Sequence, residues 1–179
     1  MLKCTEALGH EMRLPKKIME SLLSLLGVIK NGRDISLRDI GKILSQVALL
    51  PSEAYENNLV QAYTDLACVL IVTSVLDPEL HRKLVRASAE TSEIRRLMSA
   101  PPSVTVRQDE NGFNQNFNYS AARWFALTVF CGGSEGIRFV QDLDERFRNI
   151  EKQFDVFGVD DRTTLAPSVQ KDWIDLFRL

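Results

Sequence analysis

The sequence has few of the residues from which metal sites, disulfides and nucleophilic active sites are built. It contains three cysteines and two histidines among 179 residues. Cys4, Cys68 and Cys131 are far apart and form no Cys-x-x-Cys pair, which predicts reduced thiols and no metal site. His10 and His81 are isolated, so no Ser-His-Asp or Cys-His nucleophile set is indicated. We therefore expect no metal, no cofactor and no enzymatic activity.

The sequence also lacks a long apolar run and an excess of positive charge. Its longest apolar run, residues 66–72, is too short to cross a bilayer, and we expect no secretory signal at the start of the chain. The formal net charge is −2, whereas a free-standing nucleic-acid-binding domain is usually basic. This charge counts against a simple DNA- or RNA-binding domain. It is compatible with a protein that gathers basic residues on one edge when it assembles.

The residues that are present predict one globular domain. The chain is 45% hydrophobic and 26% charged, a mixture that is typical of folded proteins and not of disordered ones. Its length suits a single sizeable core. No internal repeat, low-complexity segment or clear linker divides it.

Hydrophobic periodicity predicts a mainly α fold in the first half of the chain. Apolar residues recur every three or four positions, as on one face of a helix. Ser36 is suited to cap one helix, and Asp77-Pro78-Glu79 is a strong start for another. The expected helices cover about residues 15–30, 37–50, 51–76 and 78–99.

The second half of the chain contains the only β signal. Residues 103–108 and 113–118 predict two short strands around an Asn111-Gly112 turn. An apolar helix is expected over about residues 120–131, followed by a flexible break at Gly132-Gly133. Two more helices are expected, over about residues 135–157 and from near Pro167 onward.

Four motifs of the second half stand in a distinctive order. Residues 104–107 (Val-Thr-Val-Arg) precede an apolar helix that ends at Gly132-Gly133, then a long charged helix, then residues 159–161 (Val-Asp-Asp). In this order they resemble the coat proteins of rod-shaped plant RNA viruses, and tobamovirus coat proteins have a similar Val-Thr-Val-Arg and Val-Asp-Asp. Benyvirus coat proteins resemble other stretches, including residues 27–30 and 77–80. The combined resemblance covers roughly residues 25–175.

The resemblance implies both a fold and a function. The fold would be a mainly α single domain, residues 1–179, in which about residues 1–50 are extra N-terminal helices and residues 51–179 are a four-helix-bundle core with a short β-hairpin. The protein would be a structural subunit that self-assembles into a helical rod and encapsidates single-stranded viral RNA, largely independently of sequence. It would be found in the virion and in the cytoplasm of the infected host cell, without a membrane partner.

The resemblance and the distribution of charge also predict RNA-binding residues. Arg138 matches one of two paired arginines that tobamovirus-like proteins have after the third helix, with Gly136 at the other position. The candidates are Arg138, Asp160, Asp161, Ser168, Arg86, Arg146 and Arg148. Each has an ordinary alternative, because an arginine can be a solvated surface residue and an acid can stabilise a helix N-terminus without any ligand.

A second set of residues is predicted at contacts between subunits. Aromatic side chains near the hairpin would pack neighbouring subunits together, or would stack on RNA bases. Crowded carboxylates would repel one another across a contact and make its release sensitive to pH or cations. The candidate contacts are Phe113, Phe117, Tyr119, Trp124, Glu151 and Asp155.

The main alternative is a helical adaptor that holds another protein's helix in a groove and binds no RNA. Residues 37–41 (Leu-Arg-Asp-Ile-Gly) resemble the short helix that the groove-bearing cell-death regulators bind, and Arg123-Trp124 resembles another of their motifs. This interpretation predicts a discrete monomer or dimer. A small enzyme is a second alternative, disfavoured because no catalytic constellation is visible.

Overall fold

The protein is mainly α-helical, as predicted. The computed structural model describes residues 1–30, 33–51, 61–98, 119–134 and 162–175. The predicted strands at residues 103–118 and the predicted helix at residues 135–157 lie outside these ranges. The elements are α1 (Leu2–Glu11), α2 (Lys16–Ile29), α3 (Leu37–Val47), α4 (Gln61–Leu76), α5 (Pro78–Val85), α6 (Thr91–Leu97), α7 (Tyr119–Gly132), a 3₁₀ turn (Arg162–Thr164), α8 (Leu165–Val169) and a π-helical turn (Gln170–Ile174).

Helix α4 is the centre of the core. It packs against α2, α3, α5, α7 and the C-terminal helical segment. Its sequence is apolar on nearly every face, so neighbours on all sides are needed to remove it from water. Residues 66–72 are accordingly buried without interruption.

Helices α2 and α3 each bury one face against α4. Leu22, Leu26 and Ile29 of α2 are fully buried, as are Ile40 and Ile43 of α3. Their spacing of three or four residues gives the apolar stripe that the sequence predicted.

The start of α3 has a capping box. The Asp39 amide donates to Ser36 Oγ at 3.1 Å, and the Asp39 carboxylate accepts from the Ser36 side chain at 2.7 Å and from the Ser36 amide. These bonds satisfy amides that have no partner within the helix, and the hydrogen bond from the Ser36 side chain lowers the pKa of Asp39. Ser36 is therefore the N-cap that the sequence predicted.

The single helix predicted over residues 78–99 is wrong, because the segment forms two helices. Helix α5 ends where Ala87 adopts a left-handed conformation with φ of 49°. The Ala87 amide donates to the Leu84 carbonyl at 3.0 Å and the Ser88 amide to the Lys83 carbonyl at 2.9 Å, which closes the last turn. Glu90 then begins α6 through a capping box with Glu93.

The glycine pair after α7 was predicted as a flexible break, but it is a close packing contact. A Cβ atom on Gly132 would lie 2.4 Å from Leu84 Cδ2 and 3.2 Å from Leu84 Cα, so α5 approaches the end of α7 through the space left by the missing side chain. Gly133 forms a parallel bridge with Ala89, and no residue in the described ranges belongs to a longer strand. The glycines therefore fix two segments together.

The last helical segment starts earlier than predicted. The 3₁₀ turn at Arg162–Thr164 leads directly into α8, so Pro167 lies inside the helical segment and does not begin it. Proline is tolerated within a first helical turn because amides there have no intrahelical partner. Within the ranges that the structure describes, no helix is both long enough and apolar enough to span a membrane.

Candidate nucleic-acid interface

Three separate parts of the chain meet at the C-terminal end of α7. The Ala89 amide donates to the Gly132 carbonyl at 3.1 Å, and the Ser134 amide donates to the Ala89 carbonyl at 3.0 Å. Arg162 Nη1 donates to the Phe130 carbonyl at 3.0 Å and to the Gly133 carbonyl at 3.1 Å. We call this meeting point the junction, formed by residues 86–90, residues 130–134 and Arg162.

The chemistry of a helix end explains why an arginine docks here. The last carbonyls of a helix lack amide partners and carry the partial negative charge of the helix dipole. The Arg162 guanidinium satisfies two acceptors at this end and brings a positive charge to it. Its Nε is also buried, yet no acceptor within the described part of the chain bonds to it. The docking is therefore geometrically specific, but the residues described by the structure leave one of its donors without an acceptor.

An ion pair holds the two helices on either side of residues 86–90. Lys83 Nζ of α5 lies 2.6 Å from Glu93 Oε1 of α6. The hydrogen bond to Glu93 raises the pKa of Lys83, and the same bond lowers the pKa of Glu93. The pair is thus charged across the neutral range. It supports the loop that presents Arg86, whose side chain is exposed at the end of α5.

The junction joins the flanks of two segments that the sequence predicts to contact RNA. Ser134 leads along the chain towards Arg138, and Arg162 directly follows Asp160 and Asp161. The hydrogen bond from Arg162 to the Gly133 carbonyl therefore holds the two ends of the chain segment 134–161 close together. Arg86, a third predicted RNA contact, stands three residues before the bridge at Ala89. The described residues thus bring Arg86 to one end of α7, together with the chain positions that precede Arg138 and follow Asp160 and Asp161.

Other predicted site residues are placed as follows. Ser168 is exposed on α8, which packs against α5 and α7. Tyr119 is the first residue of α7. The remaining candidates lie outside the described residues; they are Arg138, Asp160, Asp161, Arg146, Arg148, Phe113, Phe117, Glu151 and Asp155.

Trp124 is not a surface residue. It is 1% exposed, and its Nε1 donates to Ser24 Oγ of α2 at 3.0 Å. The Arg123 guanidinium lies 5.6 Å from its ring centroid. Because the indole is held inside the protein's own core, this conformation does not present it to a neighbouring subunit, contrary to the prediction.

A buried polar cluster in the core was not predicted from the sequence. Asp65 of α4 is 0% exposed, and its Oδ1 accepts from Ser21 Oγ at 2.8 Å and from Gln61 Nε2 at 2.8 Å. Arg123 of α7 pairs with the other carboxylate oxygen. The cluster joins α2, α4 and α7, and both carboxylate oxygens are used within the protein. The visible signal was one aspartate beside a long apolar run, but its partner could not be identified from spacing.

The cysteines have contrasting surroundings. Burial raises the pKa of the Cys68 and Cys131 thiols well above the ordinary range, so both are neutral, whereas Cys4 is exposed. The thiolate is the reactive form, and neither buried sulfur is suited to nucleophilic chemistry. In the described ranges, no group of three or more histidine, cysteine, aspartate or glutamate side chains is arranged to hold a metal ion.

Comparison with protein-family models, with curated proteins and with solved structures finds no match to this chain.

Proposed function

We propose that the protein is a coat subunit that assembles into a helical rod around single-stranded RNA. The observation that carries the proposal is the hydrogen bond from Arg162 to the Gly133 carbonyl. It holds together the two chain positions that flank the segments with Arg138 and with Asp160 and Asp161. A phosphate backbone running past this end of α7 would meet Arg86, and the segments with Arg138 and with Asp160 and Asp161 are proposed to add further contacts.

Binding through phosphates accounts for packaging without sequence preference. Arg86 and Arg138 would neutralise phosphate charge, which contributes affinity but carries no sequence information. The net charge of −2 implies that one subunit alone binds weakly. Many subunits on one strand bind in a multivalent manner, so weak individual contacts suffice once the rod forms.

The proposed fold is a four-helix-bundle core with a short hairpin and N-terminal helices. In this assignment α4 with the α5–α6 pair precedes the hairpin region, and α7 and the C-terminal segment follow it. Helices α2 and α3 pack directly on α4, so the N-terminal region shares the core. This packing supports a single domain.

The proposal includes self-association and a place in the virion and the infected cytoplasm. Lateral contacts would involve Phe113, Phe117 and Tyr119, and carboxylates such as Glu151 and Asp155 would weaken contacts where they face each other. Trp124 is left out of this set because it is buried in the subunit's own core.

The adaptor alternative has less support. Leu37, the first apolar residue of the motif at residues 37–41, is exposed, whereas the later apolar residues of the motif and of the turn after it face inward. Ile40, Ile43 and Leu44 are all fully buried against the rest of the protein. Helix α3 would have to leave its own core before it could act as the helix that such a groove binds. The motif therefore gives little support to the adaptor, in which this chain would itself hold another protein's helix.

Electron microscopy of the purified protein tests the proposal. Samples with and without single-stranded RNA would be compared between about pH 5 and pH 8, where coupled carboxylates titrate. We expect discs or rods whose length increases with RNA length. Uniformly small particles that ignore RNA at every pH would refute the coat-protein assignment and favour the adaptor.

Salt-dependent RNA binding tests the role of the junction. Arg86→Ala should weaken binding to unrelated RNA sequences equally and lower the slope of log affinity against log salt by about one. Arg38→Ala is the matched control, because Arg38 is also exposed but lies on the surface of α3, a helix that does not contribute to the junction. Equal effects of the two substitutions would show that net charge matters and the junction does not.

A further inference from the structure

We infer that Arg162 is a positioning residue that sets where Arg86 is presented, without itself binding phosphate. This inference rests on the proposed function, since Arg86 is taken as a phosphate contact. Arg162 was not among the residues that the sequence singled out. Its side chain is half-buried and its Nη1 is engaged by two backbone carbonyls.

The path from Arg162 to Arg86 runs through the backbone of the junction. Arg162 holds the carbonyls of Phe130 and Gly133. The same short segment receives the Ala89 amide at Gly132 and donates from Ser134 back to Ala89. Ala89 is two residues from Ala87, whose left-handed conformation turns the chain away from α5 directly after Arg86. Each link is a hydrogen bond or a fixed backbone angle, so a shift at residues 130–134 is transmitted to the loop.

The buried Nε of Arg162 distinguishes positioning from simple stabilisation. It has no acceptor among the described residues, and a buried charged donor without a partner offsets part of what the two carbonyl hydrogen bonds contribute. The net contribution of Arg162 to stability is therefore smaller than the two bonds alone would give. The cost of the buried Nε does not weaken the constraint on residues 130–134, because the two hydrogen bonds still fix the direction of both carbonyls. Removing Arg162 should thus disturb geometry more than stability.

The test measures RNA affinity across a series of salt concentrations, using a labelled single-stranded oligonucleotide and protein shown by sedimentation to be unassembled. The variants are Arg162→Met, Arg162→Lys, Arg86→Ala and the Arg86→Ala/Arg162→Met double variant. We expect Arg162→Met to lose affinity by about ten-fold, the scale of a pair of lost hydrogen bonds, and to lower the salt slope by no more than Arg86→Ala does, because the phosphate contact that is weakened is that of Arg86. Arg162→Lys should recover most of the loss, because an ammonium can donate to both carbonyls.

The double variant tests whether Arg162 acts through Arg86. If it does, Arg162→Met should lower affinity much less in the Arg86→Ala background than in the wild-type protein. Hydrogen exchange supplies a readout without RNA: the Ser134 amide, which bonds to Ala89, should exchange faster in Arg162→Met while amides in the middle of α4 keep wild-type rates. Circular dichroism establishes that each variant is folded, and Arg162→Ala, which also removes both donors, replaces Arg162→Met if that variant is unfolded.

The outcomes separate the two proposals. RNA binding by the wild type with no loss in Arg162→Met overturns the positioning role and leaves the coat function standing. A salt slope that falls by a further amount of about one when Arg162→Met is added to Arg86→Ala makes Arg162 a direct phosphate contact, which also overturns it. Equal losses in both backgrounds mean that Arg162 does not act through Arg86. If the wild-type protein binds no RNA at all, the proposed function fails first, and unchanged Ser134 exchange in Arg162→Met would independently show that Arg162 does not fix the loop.

Discussion

Arg123 and Arg162 are both half-buried arginines bound at α7, yet their partners are of different kinds. Arg123 lies near the start of the helix and pairs with the fully buried Asp65 carboxylate. Arg162 docks at the other end of the helix on the neutral carbonyls of Phe130 and Gly133. One is an ion pair in the core, and the other is a charged group held by the backbone.

This difference in partners indicates what each arginine does for the protein. The charge on Asp65 is compensated by Arg123, and the remaining bonds to Asp65 come from Ser21 and Gln61, so removing Arg123 leaves a buried carboxylate without its counter-charge. Removing Arg162 takes one donor from each of two backbone carbonyls, and it also removes a buried Nε that has no acceptor among the described residues. The first arginine supports the fold, and the second defines the arrangement of the loops.

The largest expected difference is in the free energy of unfolding when each of the two arginines is replaced separately by methionine. Arg123→Met should lower the free energy of unfolding by about 3–5 kcal/mol, the usual cost of breaking a buried ion pair on one side. Arg162→Met should lower it by about 1–2 kcal/mol, because the bonds that it loses among the described residues go to neutral carbonyls. Urea denaturation of both variants measures the difference.

A second substitution controls for the loss of the arginine side chain itself. In Asp65→Asn/Arg123→Met no charge is left buried, so the double variant should lose less than Arg123→Met alone. Equal losses for Arg123→Met and Arg162→Met would remove the distinction between the two regions.

The next effect tests how closely the junction is packed. Gly132→Ala should lower the free energy of unfolding by about 1–3 kcal/mol, because the new methyl group would overlap Leu84 and force α5 away from α7. Gly41→Ala is the matched control: a Cβ atom on Gly41 would have no neighbour within 4 Å, and alanine in a helix interior is favoured by about 0.5–1 kcal/mol. Thermal melts of the two variants should therefore shift in opposite directions.

A smaller effect is expected where the loop turns away from α5. Ala87→Gly should raise the free energy of unfolding by about 0.5 kcal/mol, because glycine adopts the left-handed conformation without steric cost. Ala48→Gly is the control, since Ala48 ends α3 in an ordinary helical conformation with φ of −65° and gains nothing from glycine. Destabilisation by both substitutions would contradict the strained turn.

The helices were largely predictable because their signals are local. Ser36 and the apolar stripe after it fixed the start of α3, and the predicted helix at residues 120–131 differs from α7 by one residue at each end. The break after α5 was not predictable, because it contains neither glycine nor proline. It depends on Ala87 accepting a left-handed conformation and on a bridge to Gly133, which is distant in the chain.

The candidate site was only partly predictable for the same reason. Arg86 was identified from charge on a helix face, and it is exposed. Arg162 was not identified, because its partners are backbone carbonyls at Phe130 and Gly133, and every residue type has such a carbonyl. Asp65 and Arg123 were visible as charges within apolar helices, but only the fold shows that they pair.

The smallest expected effect is on the labelling rates of the two buried cysteines, which report separately on the polar cluster and on the junction. Cys68 lies on α4 within electrostatic range of the Asp65 carboxylate. Cys131 lies within electrostatic range of the Arg162 guanidinium. Burial raises the pKa of both thiols, so at neutral pH a thiol reagent should label Cys4 rapidly and the other two only when the protein opens locally.

Arg162→Met should speed the labelling of Cys131 by a few-fold and leave Cys68 at its wild-type rate, because loosening the end of α7 does not open the core around α4. Arg123→Met should speed the labelling of both, since loss of the ion pair lowers the cost of opening the whole core. Mass spectrometry of digested samples assigns the label to each cysteine. If both thiols changed together in Arg162→Met, the junction and the polar cluster would belong to one cooperative unit, and the division between a stabilising and a positioning arginine would not hold.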